Sequence, residues 1–105
     1  MILVNTDFIT GKKLETMRLV RGSTIRSKHI GKDLMAGLKT IVGGELTGYS
    51  EMLNEARAIA TKRMVDDAES ISADAVINIR YATSNIAQGA AEVMVYGTAV
   101  KFLAD

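Results

Sequence analysis

The stretch from Ala91 to Phe102 constrains the fold most, because it is apolar on both sides of a two-residue period. In an extended chain Met94, Tyr96, Val100 and Phe102 share one face, and Val93, Val95 and Ala99 share the other. A strand covered on one side only alternates with polar residues. This one is therefore expected in mid-sheet, with material over each face. The chain that must supply this cover has 105 residues, the length of a single domain, 1–105.

The remaining periodicities give the other elements. Met1 to Asn5 reads as a short strand. Leu14 to Ile25 reads as a second, with Val20 out of phase; that slip, followed by Gly22, predicts a bulge or bend. From Ser27 to Val42, Ile30, Leu34, Leu38 and Ile41 follow one helix face, with Gly43-Gly44 as the stop. A longer helix follows, with Thr47 or Ser50 as N-cap and Glu51 near its first turn. Its stripe runs through Tyr49, Met52, Leu53, Ala56, Ile59, Ala60, Met64, Ala68 and Ile71, and the alanines Ala56, Ala60 and Ala68 let another backbone come close. Lys62 with Asp66 and Arg63 with Asp67 stand four apart on its wet side. Ala75 to Tyr81 is a strand with Ile77, Ile79 and Tyr81 on one face and Val76, Asn78 and Arg80 on the other. Ser84 to Gly89 is the loop that leads into the last strand.

The order strand-strand-helix-helix-strand-strand predicts an α+β fold, an antiparallel sheet of about four strands packed on two helices. Two helices cover one face of such a sheet. The Val93-Val95-Ala99 face, with Val76, is then expected to be buried against another copy of the chain. Charge points the same way: residues 1–42 hold 8 Lys and Arg against 3 Asp and Glu, and residues 43–105 hold 5 against 9. Halves of opposite sign suit head-to-tail contacts, which close into rings.

Composition removes several functions. With no cysteine there is no disulfide, thiol nucleophile or thiolate metal site. A net charge of +1 and few aromatics predict neither a nucleic-acid nor a membrane partner. The first residues lack a cationic start and a long apolar run, so no secretory signal is expected and the cytoplasm is the default location. The single histidine, His29, has no serine or acid at a catalytic spacing, and no enzyme is expected.

Candidate sites are few. His29 and Asp33, four apart on the expected first helix, could share a divalent cation, and symmetry in a ring would multiply those two ligands. Met17, Met35, Met52, Met64 and Met94 lie on apolar stripes and read as core filling rather than as a copper site. Asp66, Asp67 and Glu69 lack the glycine-centred loop of a calcium site and read as a solvated face. Gly43-Gly44-Glu45 lacks the lysine of a phosphate loop and reads as a turn. Arg57 beside the apolar stripe is expected to pair with Glu45 or Glu92.

Val20-Arg21-Gly22, Gly43-Gly44-Glu45-Leu46, Tyr49, Ala56-Arg57, Ala60, Ala73-Asp74-Ala75-Val76 and Gly97-Thr98-Ala99-Val100 together resemble the YbjQ-like bacterial proteins, a family labelled "putative heavy-metal-binding". The resemblance runs from Thr6 to Val100. It implies a fold similar to the dodecin subunit and ring-shaped homo-oligomers, pentamers in particular. It also gives the glycine pair a turn between helices and Gly97 a close approach at the central strand. Ser72-Ala73 departs from the family's Gly-Ala at the helix cap. The label implies a metal ion, for which this chain offers no cysteine and one histidine; the alternative is a small organic ligand held between subunits.

Overall fold

The computed structural model describes residues 1–27, 41–42 and 45–104. Among these, the strands are β1 (Ile2–Leu3), β2 (Lys13–Ser27), β3 (Ile41–Val42), β4 (Glu45–Leu46), β5 (Ala75–Ala87) and β6 (Ala90–Leu103), with one helix, α1 (Thr47–Ser70). Four strands form a sheet in the order β1-β5-β6-β2, so β6 is internal, as its two apolar faces predict. The sheet is mixed rather than antiparallel, because β1 runs parallel to β5. β3 and β4 form a separate two-stranded ribbon with Val42 opposite Glu45.

The bounds expected for the first helix, Ser27 to Val42, are corrected at both ends. Ser27 closes β2, and Ile41–Val42 is strand, a conformation that suits two adjacent β-branched side chains. The rest of that stretch, 28–40, and Gly43-Gly44 lie outside the described residues. The fold observed is α+β with one described helix on a mixed four-stranded sheet.

α1 lies along β2 and β6 and buries Met52, Ala56, Ala60, Met64 and Ala68, one residue per turn. Small side chains at three of these positions bring the helix close to the sheet. The tightest point is Gly22: a Cβ there would run into the carbonyl of Ala60 and the amide of Met64. Gly97 is the counterpart inside the sheet, where a Cβ would stand 2.6 Å from Val76 Cγ1 and 2.9 Å from the Ile77 carbonyl oxygen. The close approaches expected of the alanine stripe and of Gly97 are therefore both present.

Two bulges decide which residues face the helix. Thr16 is opposite Val100 but Arg18 is opposite Ala99, so Met17 is the extra residue in β2. The bend expected near Val20 is thus three residues earlier. Before it, Leu14 joins a small cluster on the side of the sheet away from α1; after it, Val20, Gly22 and Thr24 turn toward the helix. The second irregularity lies between Ile77 and Arg80, with Asn78 at φ 54°, a conformation asparagine tolerates better than most residues. It separates Ile77, away from the helix, from Ile79 and Tyr81 on the helix side, so the single face predicted for these three is corrected. The bulge is not left unpaired: the amides of Asn78 and Ile79 donate to the carbonyls of Thr6 and Val4.

The main core is therefore the Val93-Val95-Ala99 face itself, each residue 0% exposed, together with Val20, Val76 and the α1 stripe. That corrects the expectation that another copy covers these residues; the subunit's own helix does. On the opposite side Ala75, Ile77 and Val100 pack with Val4, Ile9, Leu14 and Phe102, and Lys12 Nζ sits 5.0 Å from the centre of the Phe102 ring.

α1 ends in a left-handed turn. The amide of Ala73 donates to the carbonyl of Ala68 and that of Ser72 to Glu69, with Ser72 at φ 60°. This is the helix stop that glycine fills at least cost. Ser72→Gly is expected to raise stability by about 0.5–1 kcal/mol, read as a higher midpoint in urea with an unchanged slope. No change would show that the serine makes up for its backbone strain elsewhere.

Candidate functional site

Residues directly opposite across strands share a face, so the register maps the sheet surface away from α1. Its uncovered part, among the described residues, consists of Leu19, Arg21, Ser23 and Ile25 from β2, Glu92, Met94, Tyr96 and Thr98 from β6, and Arg80, Ala82 and Ser84 from β5. Residues 4–14 cover only the end that carries Val100 and Phe102. Leu19 and Ile25 are 59% and 60% exposed, and Tyr96 is 38% exposed. Apolar side chains are thus spaced among polar ones on a flat surface, an arrangement made to be covered by something that also meets its charges.

The middle row of this face is Arg21, Tyr96 and Arg80, because Tyr96 is opposite Arg21 on β2 and Arg80 on β5. Arg80 is anchored by its Nη1, which donates to the carbonyls of Asn5 (3.2 Å) and Ile79 (3.1 Å). Along the strand the face's acidic group, Glu92, stands two rows away in register with Ile25 and Ser84.

The free edge of β2 is occupied by side chains from α1. Asp67 accepts a forked pair of bonds from Arg18, 2.9 Å from Nη2 and 3.3 Å from Nη1, and a further bond from the Arg21 amide. Arg63 Nη1 donates to the Ser23 carbonyl at 2.7 Å. The Arg18 hydrogen bonds, reinforced by the Arg21 amide and the nearby positive charge, hold the Asp67 carboxyl below the usual carboxylate range despite some desolvation; Asp67 in turn raises Arg18. Arg63 and Asp67 therefore each reach a strand instead of pairing along the helix. Lys62 and Asp66 do pair as spaced, at 3.1 Å. Arg57 Nη1 donates to Asn54 Oδ1 at 2.8 Å rather than to Glu92 among the described contacts; the side chain of Glu45 lies outside the described residues.

The helix side of β5 is tied down as well. Thr61 Oγ1 donates to the Arg57 carbonyl and receives the Tyr81 hydroxyl at 2.8 Å, while the Tyr49 hydroxyl donates to Asn85 Oδ1. At the start of α1 a cleft of about 530 Å³ is lined by Ile25, Arg26, Ser27, Gly48, Glu51, Met52 and Glu55, with Arg26 and Glu55 paired across it.

Of the residues singled out from sequence, His29, Asp33 and Met35 lie outside the described residues. Met52 and Met64 are core, and Met17 packs against it, as expected; Met94 is half-buried on the open face. Among the described residues no three His, Cys, Asp or Glu side chains are grouped to hold a metal ion. No described helix is long and apolar enough to cross a membrane. Sequence reading missed the Arg21-Tyr96-Arg80 row. Its signal is the pair of bulges, which alone set the three residues in line.

Among the described residues these features define a small α+β domain, with a helix on one sheet face and an uncovered, mixed-polarity surface on the other. A solved structure with this architecture is a protein of unknown function of the DUF74 family from Pediococcus pentosaceus, with a TM-score of 0.66 over 98% of both chains at 14% identity; that likeness concerns the fold. Similar sequences include UPF0145 proteins from Clostridium novyi, 74% identical, and Alkaliphilus metalliredigens, 69% identical, each over 98% of this chain and 100% of the relative. A UPF0145 protein from the archaeon Methanosarcina acetivorans is 57% identical over 98% of both chains. Residues 1–103 match the YbjQ_1 family model, described as "Putative heavy-metal-binding", and the chain belongs to that family.

Proposed function

We propose that the protein is a non-enzymatic, self-associating binding subunit of the cytoplasm, a dodecin-like ring of five copies whose subunit contacts hold the ligand. The observation that carries this reading is the open sheet face, where Leu19 and Ile25 stand about 60% exposed beside Met94 and Tyr96. A second copy is the simplest cover for such a surface. The oppositely charged halves of the chain favour contact between unlike surfaces. Sedimentation at micromolar concentration is expected to give a particle of five times the 11.3 kDa subunit mass. Leu19→Glu with Ile25→Glu is expected to reduce it to single subunits that keep their circular dichroism. A lone 11.3 kDa particle from the unaltered chain would end this reading.

Metal binding is the ligand reading that the family's description supports. Within a ring, His29 and Asp33 from adjacent copies would supply imidazole and carboxylate ligands of the type zinc and nickel take. Titration calorimetry with Zn²⁺, Ni²⁺, Cu²⁺ and Cd²⁺ tests it; binding absent or only millimolar for all four removes it. The cleft near Ile25, Arg26 and Met52, at the margin of the same face, favours the small organic ligand instead.

A further inference from the structure

We infer that the outer edge of β5 between Tyr81 and Asn85 is a strand-pairing surface, and that its partner is the same edge of a second copy, antiparallel about a two-fold axis. This goes beyond the ring: a ring joins unlike surfaces, whereas this contact joins like edges and links copies in twos.

Alternate residues of a strand direct their main-chain groups to opposite sides. On β2 the Arg21 amide meets Asp67 and the Ser23 carbonyl meets Arg63, so these two residues face out from the sheet. Their opposites on β6, Tyr96 and Met94, therefore bond toward β5, where they meet Arg80 and Ala82. Tyr81, Thr83 and Asn85 are left with amide and carbonyl directed outward. Ile79 belongs to the same series, and its amide does point out, donating to Val4 beside β1. Past Ile79 no main-chain bond reaches this edge among the described residues.

The two edges of the sheet differ in protection. On β2, Gly22 lies against α1, and the Leu19 carbonyl, the Arg21 amide and the Ser23 carbonyl are taken by Arg18, Asp67 and Arg63. A neighbour's strand finds neither room nor free groups there. The β5 edge lacks the usual safeguards: Tyr81 to Ala91 contains no charge and no proline, and residues 81–87 are exposed. It is also held straight, with the Tyr81 hydroxyl bonded to Thr61 and Asn85 bonded to Tyr49, so little freedom is lost on pairing. An uncharged edge has nothing to attract a charged partner and nothing to repel its own copy. With β2 closed, the edge of this sheet that a second copy can offer is β5, which makes the contact like-to-like.

Amide exchange at Tyr81, Thr83 and Asn85 tests it in the full chain at about 10 µM and about 1 mM subunit, a range suited to so small a contact. Exchange at these three is expected to be about tenfold slower or more at the higher concentration, with Ala82 and Ser84, which face β6, unchanged. Thr83→Pro removes one outward donor and is tolerated at an edge; Thr83→Lys adds a charge. Each is expected to abolish the difference and keep the circular dichroism. Single cysteines at Ala82, Thr83, Ser84 and Asn85 locate the axis, since the chain has no other cysteine. The position nearest the axis is expected to cross-link to its own copy several-fold faster than the other three and than Thr10→Cys, also exposed. Exchange that stays fast at both concentrations overturns the inference, and so does cross-linking that is flat across the four positions. Protection equal at both concentrations and unmoved by Thr83→Lys shows the edge covered within the subunit and also overturns it. In the Leu19→Glu, Ile25→Glu chain the slowing is expected to persist; its loss there would assign the protection to the ring contact and end the two-fold edge. A five-subunit particle with fast edge amides would do the same and leave the ring standing.

Discussion

Gly22→Ala is expected to destabilise the protein by about 3 kcal/mol and to lower its thermal midpoint by about 15 °C. The added methyl would overlap the Ala60 carbonyl and the Met64 amide, and Arg63 Cβ lies 2.9 Å from the same point. Two of these are main-chain atoms of a helix that is hydrogen-bonded along its length, so no rotamer change makes room. The helix must lift from β2, and with it the Asp67 and Arg63 contacts to Arg21 and Ser23. Relative to a total of about 5–15 kcal/mol for a domain of this size, that loss is a large fraction of the stability. Urea titration of the variant measures it. A midpoint within a few tenths molar of the unaltered protein would show that β2 and α1 do not meet at this distance.

The second large effect is expected from the other side of the same contact. Met64 is 0% exposed and is among the largest fully buried side chains, packed with Val20, Val93 and Val95 in the main core. Met64→Ala is expected to cost about 3 kcal/mol, part lost transfer energy and part cavity, whereas Met64→Leu costs under about 1.5 kcal/mol. The pair also separates two causes. The Gly22 overlap involves main-chain atoms that survive truncation of Met64, so the alanine at 64 does not rescue the alanine at 22. Rescue in the double variant would place the overlap on the methionine side chain instead.

The long helix and the internal position of β6 were legible because each rests on a period repeated many times. Met52, Ala56, Ala60, Met64 and Ala68 are spaced four apart, and the strand is apolar at odd and even positions alike. The faces were not legible. One extra residue at Met17 and another at Asn78 invert everything beyond them; the phase slip at Val20 signals the first without placing it, and nothing in the sequence signals the second. For that reason the Val93-Val95-Ala99 face was assigned to a neighbour when α1 covers it, and Ile77 was grouped with Tyr81 from which it is turned away. Arg57 and Arg63 show the same limit on a helix. Spacing nominates Asp67 for Arg63, while tertiary contact sends Arg63 to the Ser23 carbonyl; Arg57, expected to reach a distant glutamate, bonds Asn54 one turn back instead. The Arg21-Tyr96-Arg80 row needs three strands in correct register and so follows from no single segment.

The coverage of the β2 edge by Asp67 and Arg63 has a consequence for survival of the protein at high concentration. A fifteen-residue outer strand is the kind of template on which fibrils grow, since an incoming chain finds a row of ready donors and acceptors. Here the newcomer must first break a carboxylate bond at Arg21 and a guanidinium bond at Ser23, near the middle of that row. The helix thus acts as a guard against amyloid-like stacking, and loss of either side chain would be felt first as turbidity on storage rather than as a change in shape.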